Sequence, residues 1–486
     1  MRESVVHSTE NNNLYLYDAQ HMFSLLIHPE LGRAHEKSEN LNPYYLKKYE
    51  YQKRHGFWGN AEPPDFETNL DESSINSSII QTKKLVFEVT DHCNLNCPYC
   101  SVGELYEFSK RERNHMNSHY AINLLKYIVG LKLKNNKGKL MICFFGGEPL
   151  VNSRFIKRIV KAANDLNANK ELELRFFMTT NATLIHKHIV FLVENKFGLL
   201  ISLDGDEKGQ SYRTFAKNNQ NSFRRVIANI DMIQRDYPDY FTDNVYFNAV
   251  LHSRNSIKNI YEFIYNRYHK IPTISELNTG NINRNKQDIF DRMFQDKWES
   301  EEEYQKSPNF LPETRGELTV YKETSLFMSR YSINFYISNP LYLLYDRIKL
   351  CPTGTCMPFE KKIFLNTHHN LFPCEKINHK YSMGKVNENI IIDIPKIARE
   401  YNCFYNHFKK VCLNCYASPR SCRACMFTIG NLDKLDSEDL ICNEFQDQEA
   451  FKLKLKRIFS FLENKPKWGS ISTDIEMLPD SIFMDK

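Results

Sequence analysis

Three cysteines spaced Cys93-x3-Cys97-x2-Cys100 stand directly after an alternating apolar segment containing Leu85, Phe87 and Val89. Thiolates ligate soft metals and iron–sulfur clusters. Three of them hold three corners of a cubane [4Fe–4S] cluster, which ordinarily takes four protein ligands, and leave one iron open for a molecule that must react. Zinc is the competing occupant, but zinc sites usually pair cysteines as C-x2–4-C and close with four ligands. A solitary triplet after a strand fits zinc poorly. It fits a catalytic site well, because parallel sheets carry their active sites at the carboxyl ends of their strands.

A second array reads Cys351-x4-Cys356-x17-Cys374, then Cys412-x2-Cys415-x6-Cys422-x2-Cys425-x16-Cys442. Eight cysteines suffice for two fully ligated [4Fe–4S] clusters. The spacing alone suits one or two zinc ribbons equally well. Cys143, between Ile142 and Phe144, reads as a small buried hydrophobe, and Cys403, in an aromatic stretch, as structural. The 13 cysteines are an odd number without a secretion signal, which favours metal or redox-cofactor ligation over disulfides.

Composition narrows the partners. Lys and Arg nearly balance Asp and Glu, leaving a net charge of +5, which argues against a dedicated nucleic-acid binder. No apolar run approaches the roughly 18 residues of a membrane span. The opening MRESVVHSTENNN has no signal-peptide core, so a cytoplasmic protein is expected. At roughly 100–200 residues per domain, 486 residues suggest several domains.

The elements that must position the first triplet alternate regularly. Candidate strands are Lys84–Thr90, Leu140–Phe145, Leu174–Thr179, Gly198–Leu203, Asn244–Leu251 and Thr273–Leu277, several of them continuous apolar runs as in buried parallel strands. Helical patterns fall between them at Ser118–Leu133, Ser153–Leu166, Ala182–Asn195, Ser222–Arg235 and Ser256–Tyr268. In the first, Ile122, Leu125, Ile128 and Leu131 repeat at the helical period. Repeated βα units predict a parallel sheet, open or curled toward a barrel. Residues 60–82, acidic and rich in Pro and Ser, read as a solvated linker. Residues 285–345, with charged Asp288–Glu303 and aromatic Tyr331–Tyr345, read as a helical insertion. Lys362–Asn366 and Asn370–Phe372 suggest a hairpin, and Phe451–Leu462 a tail helix.

The triplet and the motifs that follow it in order resemble the radical S-adenosylmethionine (SAM) enzymes. Gly146-Gly147-Glu148-Pro149 ends the second strand, where that family receives the methionine amino group. Alone this would be an ordinary turn. Thr180-Asn181 ends the third strand, and Ser202-Leu203-Asp204-Gly205 the fourth. The resemblance implies SAM contacts from Tyr99, Gly146, Gly147, Glu148, Asn181, Ser202, Arg213 (through the SAM carboxylate) and Leu277. Without it, Asn181 reads equally as a cap and Arg213 as a solvated charge. The second array resembles a SPASM domain with two auxiliary clusters, although the family's inner spacing of x5 then x3 is here x6 then x2. By that analogy Cys351, Cys356, Cys374 and Cys425 hold the nearer cluster, and Cys412, Cys415, Cys422 and Cys442 the outer one. Glu375, following Cys374, stands where sulfatase-maturing SPASM enzymes keep an acidic proton acceptor. Its bland alternative is an ion pair with Lys376.

The fold class implied is α/β: a partial (β/α)6 TIM-like barrel with a C-terminal cysteine-rich SPASM domain and a small N-terminal module. Expected boundaries are 1–83 for the N-terminal module and linker, 84–284 for the radical SAM core, 285–350 for the insertion, 351–445 for the SPASM domain and 446–486 for the tail. The expected cofactors are a SAM-binding [4Fe–4S] cluster at Cys93, Cys97 and Cys100, two auxiliary [4Fe–4S] clusters, and S-adenosyl-L-methionine. The implied reaction is reductive SAM cleavage to a 5′-deoxyadenosyl radical that takes hydrogen from a precursor peptide or protein substrate. A flavodoxin or ferredoxin would supply electrons. Residues 13–60, with Leu14–Tyr17 and Phe23–Ile27 as a hairpin, could form a winged-helix-like module that captures a leader peptide by strand addition. The first expectation is therefore a peptide maturase installing a crosslink. The alternatives are an anaerobic sulfatase-maturating, formylglycine-generating enzyme and, in another class, a zinc-ribbon binding protein.

Overall fold

The computed structural model describes residues 2–106, 112–135, 138–280, 282–330, 350–417, 422–429, 432 and 442–464. Two compact units emerge: residues 1–70 with 315–355 and 400–486, and residues 71–314 with 356–399. Among the described residues no helix is long and apolar enough to cross a membrane.

In the first unit, strands β1 (Val5–Ser8), β2 (Leu14–Asp18) and β3 (Phe23–Leu26) run antiparallel in the order β1-β2-β3. The expected hairpin is β2–β3. Side chains alternate across a strand, so Val6 and Leu16 pack with Leu31, Ala34, Tyr49 and Trp58. Val5 and Tyr17 pack instead with Phe327, Phe451, Leu455 and Phe459. These last belong to helices Thr319–Arg330 and Gln448–Glu463, the second being the expected tail helix. Helices Pro29–His35 and Pro43–Arg54 start on proline, whose missing N–H costs nothing in a first turn. Tyr331–Tyr345 of the expected insertion and residues 465–486 of the tail lie outside the described residues.

The second unit is built on a ten-stranded sheet. Its strands are β4 (Lys84–Thr90), β6 (Lys139–Gly146), β7 (Glu173–Thr180), β8 (Gly198–Ser202), β10 (Val245–Val250) and β11 (Thr273–Ser275), parallel and adjacent in chain order. They match the six expected strands. Every residue of β4 after Lys84 is buried, as expected of a parallel strand covered on both faces. Two short strands, β5 (Leu95–Asn96) and β9 (Thr214–Phe215), pair antiparallel outside this sheet. The expected second hairpin is β12 (Lys362–Leu365) and β13 (Asn370–Phe372), followed by β14 (Gly384–Val386) and β15 (Ile390–Ile392). Its placement was not foreseen. β12 lies parallel against β4, and β13, β14 and β15 extend the sheet beyond it in antiparallel pairs. Among the described residues β11 pairs only with β10, so the sheet is mixed and shows no pairing that closes it.

Three local expectations need correction. The acidic stretch at 60–82 contains a helix, Glu72–Gln81, because Asp71 accepts the Ser74 N–H as an N-cap and Ile75 and Ile79 are buried. Ala182–Asn195 is not one helix. Ala182 stands at φ +60° and His188 breaks the run, leaving a 3-10 turn at Ile185–Lys187 and a helix at Ile189–Glu194. The helix Ser118–Asn135 buries Ala121, Leu124, Leu125, Ile128 and Val129, so its buried stripe runs partly beside the Ile122–Leu131 row. The insertion is helical as expected, at Gln287–Met293, Lys297–Gln305 and Thr319–Arg330.

Candidate active site

The cysteine loop leaves the carboxyl end of β4 and is clamped on two sides. On one side β5, inside the Cys93–Cys97 interval, pairs with β9, and the Ala216 N–H donates to the Asn94 carbonyl at 3.0 Å. On the other, the Gly147 N–H donates to the Thr90 carbonyl at 2.7 Å and the Glu148 N–H to the His92 carbonyl at 3.0 Å. That approach requires glycine. Gly146 has φ +134°, and a Cβ on Gly147 would sit 2.1 Å from the His92 oxygen and 2.8 Å from the Cys93 nitrogen. The turn after β6 is thereby locked onto the backbone that presents Cys93.

Glu148 is fully buried. Its Oε1 accepts from the Leu150 N–H (3.1 Å) and the Thr180 hydroxyl (2.8 Å), and its Oε2 from the Asn181 N–H (2.7 Å). The carboxylate thus braces the ends of β6 and β7 against each other. Burial pushes its pKa up to about 7, against the pull of the three donors. Asn181, directly after β7, donates from Nδ2 to Asn94 Oδ1 at 2.9 Å and to Cys93 Sγ at 3.7 Å.

Tyr99 and Arg213 meet at Asp204, a residue of the Ser202-Leu203-Asp204-Gly205 run, and Leu277 packs in the same apolar cluster as Tyr99. Asp204, fully buried, accepts from Arg213 Nε and Nη2 at 2.8 and 2.9 Å, from the Val250 N–H at 2.9 Å and from the Tyr99 hydroxyl. His252 Nε2 lies 3.6 Å away. Burial alone would raise the Asp204 carboxyl, but the Arg213 guanidinium and His252 hold it below the ordinary carboxylate range. Burial likewise raises the Tyr99 hydroxyl well above its usual value. The Tyr99 ring stacks on His252 at 5.2 Å and shares an apolar cluster with Leu105, Tyr106, Leu277, Phe290 and Met293, against which Cys97 packs. Ser202, at the end of β8, donates to Asn248 Oδ1 at 3.3 Å. Asp204 and His252 each stand two residues beyond a strand end, and that position is the signal by which a sequence reading could have found them.

An iron–sulfur cluster fits the donors of the first triplet. The Cys97 thiol feels the charges of Cys93, Cys100 and Arg213, and burial pushes its pKa up to about 12, so metal binding must drive its deprotonation. Two N–H groups, from Leu95 (3.4 Å) and Asn181, point at Cys93 Sγ. Among the described residues no three His, Cys, Asp or Glu side chains converge to hold a single metal ion.

In the second array, burial pushes the Cys412 thiol up to about 12, and Cys415, Cys422 and Cys442 all act on it electrostatically. These four are the set assigned to the outer cluster. The segment after Cys351 is tied to the one holding Cys422 and Cys425. The Gly354 N–H donates to the Ala424 carbonyl (2.8 Å) and the Met426 N–H to the Thr355 hydroxyl (2.9 Å). Cys356 and Cys374 belong to the other unit. Cys374 precedes Glu375, whose two oxygens each lie 3.0 Å from Lys362 Nζ on β12. Lys362, rather than the neighbouring Lys376, is the ion-pair partner, because β12–β13 pairing brings it across. Burial alone would raise the Glu375 carboxyl, but Lys362 holds it below the ordinary range. Cys143, on β6, feels Lys84, Lys362 and Glu375, and burial pushes it up to about 12. Cys403 is exposed on the helix Ile394–Leu413 rather than packed as structural.

Known proteins match this core. Residues 87–264 match the Radical SAM superfamily. The radical SAM cyclopropyl synthase TigE of Paramaledivibacter caminithermalis is 27% identical over 179 residues, 35% of this chain and 36% of that protein. The cysteine-type anaerobic sulfatase-maturating enzyme of Clostridium novyi is 26% identical over 181 residues, 37% of this chain and 46% of that protein. The matched segments thus span less than half the length of these curated relatives. Among solved structures, native anSMEcpe with bound AdoMet is 16% identical with a TM-score of 0.52, covering 82% of this chain and 100% of that one. The same protein with AdoMet and the Cp18Cys peptide gives 0.50, covering 81% and 99%. At that identity the likeness speaks for the fold alone. The superfamily match runs from the middle of β4, through the whole cysteine loop, into the helix after β10, so residues 87–264 form a radical SAM domain.

Proposed function

We propose that this chain oxidises a side chain of a peptide or protein substrate by radical SAM chemistry, in the manner of an anaerobic sulfatase-maturating enzyme. The observation that carries the reading is the cysteine loop, locked by glycine to the turn after β6, in a chain that also holds the half-buried Cys374–Glu375–Lys362 group. The relative in Clostridium novyi and the shared fold with peptide-bound anSMEcpe support it. A four-iron cluster at Cys93, Cys97 and Cys100 with SAM at its open iron supplies the means to abstract hydrogen from an unactivated C–H bond.

The protein's own contribution is placement. The paired glycines let backbone approach the bound SAM. Arg213, oriented by Asp204, presents a guanidinium for a carboxylate, and Tyr99 and Leu277 supply apolar surface for the adenine. Ser202 completes that set. Glu375 receives a proton from the substrate at its carboxylate, which Lys362 keeps ionised at neutral pH. The eight later cysteines would hold two auxiliary [4Fe–4S] clusters, which would take up the electron left on the substrate radical, and a flavodoxin or ferredoxin would supply the electron that cleaves SAM in a cytoplasmic enzyme.

The decisive test incubates anaerobically reconstituted, strongly reduced protein with SAM and a sulfatase-type peptide carrying the target Cys or Ser. Release of 5′-deoxyadenosine together with a peptide aldehyde, trapped by a hydrazine, is expected. Absence of 5′-deoxyadenosine refutes the reading. Iron and sulfide near twelve irons per chain distinguish it from a zinc-ribbon binding protein.

One observation favours the crosslinking peptide maturase as a second reading. Among the described residues β3 pairs only with β2, so its outer edge can accept an extended leader peptide. Exposed Leu25 and Leu26 lie on that strand, and TigE is a relative. Loss of two hydrogens from a neighbouring-gene peptide, without an aldehyde, would select this reading.

A further inference from the structure

We propose that Asn181 is a positioning residue that sets the reduction potential of the cluster at Cys93, Cys97 and Cys100 by donating its side-chain N–H to Cys93 Sγ. This assigns it to the cluster and not to SAM. The orientation of its amide is dictated by its neighbours. Oδ1 accepts from the Thr183 N–H at 3.0 Å and from the Thr183 hydroxyl at 2.7 Å. Both are donors, so the opposite atom of the amide must be the nitrogen. That nitrogen faces Asn94 Oδ1 at 2.9 Å and Cys93 Sγ at 3.7 Å.

The frame holding it is stiff. Asn94 returns a bond from Nδ2 to the Thr183 hydroxyl at 2.8 Å. The Asn181 backbone N–H is tied to Glu148 Oε2 at 2.7 Å. Asn181 and Thr183 are both buried. The side chain therefore cannot rotate away without breaking bonds at both ends.

The electrostatic consequence follows from charge. One-electron reduction adds negative charge that spreads onto the cluster sulfurs, and a donor aimed at a ligating sulfur stabilises the reduced form more than the oxidised one. Leu95 contributes a backbone donor to the same sulfur at 3.4 Å, but that bond is internal to the loop. The Asn181 bond comes from the residue directly after β7, so it couples the end of the sheet to the cluster.

The proposal rests on a cluster occupying these three cysteines. Iron and sulfide content and the electron paramagnetic resonance (EPR) signal of the reduced protein report that premise before any potential is read. The test is an EPR-monitored redox titration without SAM, comparing wild type with Asn181→Ala and Asn181→Asp. Both variants remove the N–H donor, and the second keeps the oxygen that Thr183 binds. With the cluster loaded, the reduction equilibrium should fall by threefold to tenfold, tenfold being 59 mV for one electron, toward more negative potential. An unchanged potential in a loaded variant overturns the proposal. So does a loss of SAM affinity with the SAM-free potential unmoved. Loss of iron from both variants, with a lowered melting temperature of the apo-protein, overturns it in favour of a purely architectural role.

Discussion

Replacing Glu148 with glutamine should remove a pH dependence of stability whose sign is opposite to ordinary acid denaturation. The carboxyl is raised from 4.5 to about 7 because it is buried. Between those values the folded state holds a proton that the unfolded state has released, so stability falls as pH rises through the window. Below it both states are protonated, and above it both are ionised. At ~1.36 kcal/mol per pH unit the full span amounts to about 3 kcal/mol. At about 2–4 °C per kcal/mol for a unit of this size, that is roughly 6–12 °C. Glu148→Gln keeps the shape but cannot titrate. Its amide N–H must face the Asn181 or Thr180 donor, which costs about 1–3 kcal/mol, a constant offset across pH. The assay is the thermal transition of apo-protein from pH 4.5 to 7.5, read as wild type minus variant. That difference should shrink as pH rises. His7, depressed from 6.5 to about 4 by burial, contributes the opposite slope but is common to both proteins and cancels. Parallel curves for wild type and variant would refute the argument, because Glu148 would then be ionised in the fold like any exposed glutamate.

His7 itself gives the mirror image. Both its ring nitrogens are buried without a hydrogen-bond partner, so His7→Phe should abolish a loss of about 3 kcal/mol that the wild type suffers between pH 6.5 and 4, read by acid unfolding. Gly147→Ala would push a Cβ to 2.1 Å from the His92 oxygen. Because that contact is with backbone, the cysteine loop must move. Reconstituted iron at the first site should fall severalfold while any iron bound by the later cysteines is unchanged, and normal loading would show that the clamp is dispensable. Lys362→Met leaves the half-buried Glu375 without its ammonium and should destabilise by about 1–3 kcal/mol. Adding Glu375→Gln should recover most of that, as measured by urea unfolding, and no recovery would mean that the two side chains act independently.

Much of the core was legible in the chain itself. Continuous apolar runs broken by helical periods locate β4, β6, β7, β8, β10 and β11, because burial on both faces of a parallel strand is written into local composition. The cysteine spacings and the Gly-Gly-Glu-Pro turn mark where chemistry belongs. Local signals misled where a single residue decides the backbone. Ala182 at φ +60° breaks an otherwise helical pattern, and the Asp71 cap starts a helix in a stretch whose acidity reads as linker.

Sequence alone therefore determined the order of strands, the donor types and their intervals. Only the tertiary structure decided the pairings: Lys362 rather than Lys376 for Glu375, β12 rather than an open edge for β4, Asp204 as the common acceptor for Tyr99 and Arg213, and the Asn181 amide for Cys93. None of them joins immediate neighbours in the chain. Spacing and periodicity describe what neighbours along the backbone can do. Which distant partner satisfies a buried charge or donor depends on how the packed sheet brings strand ends together.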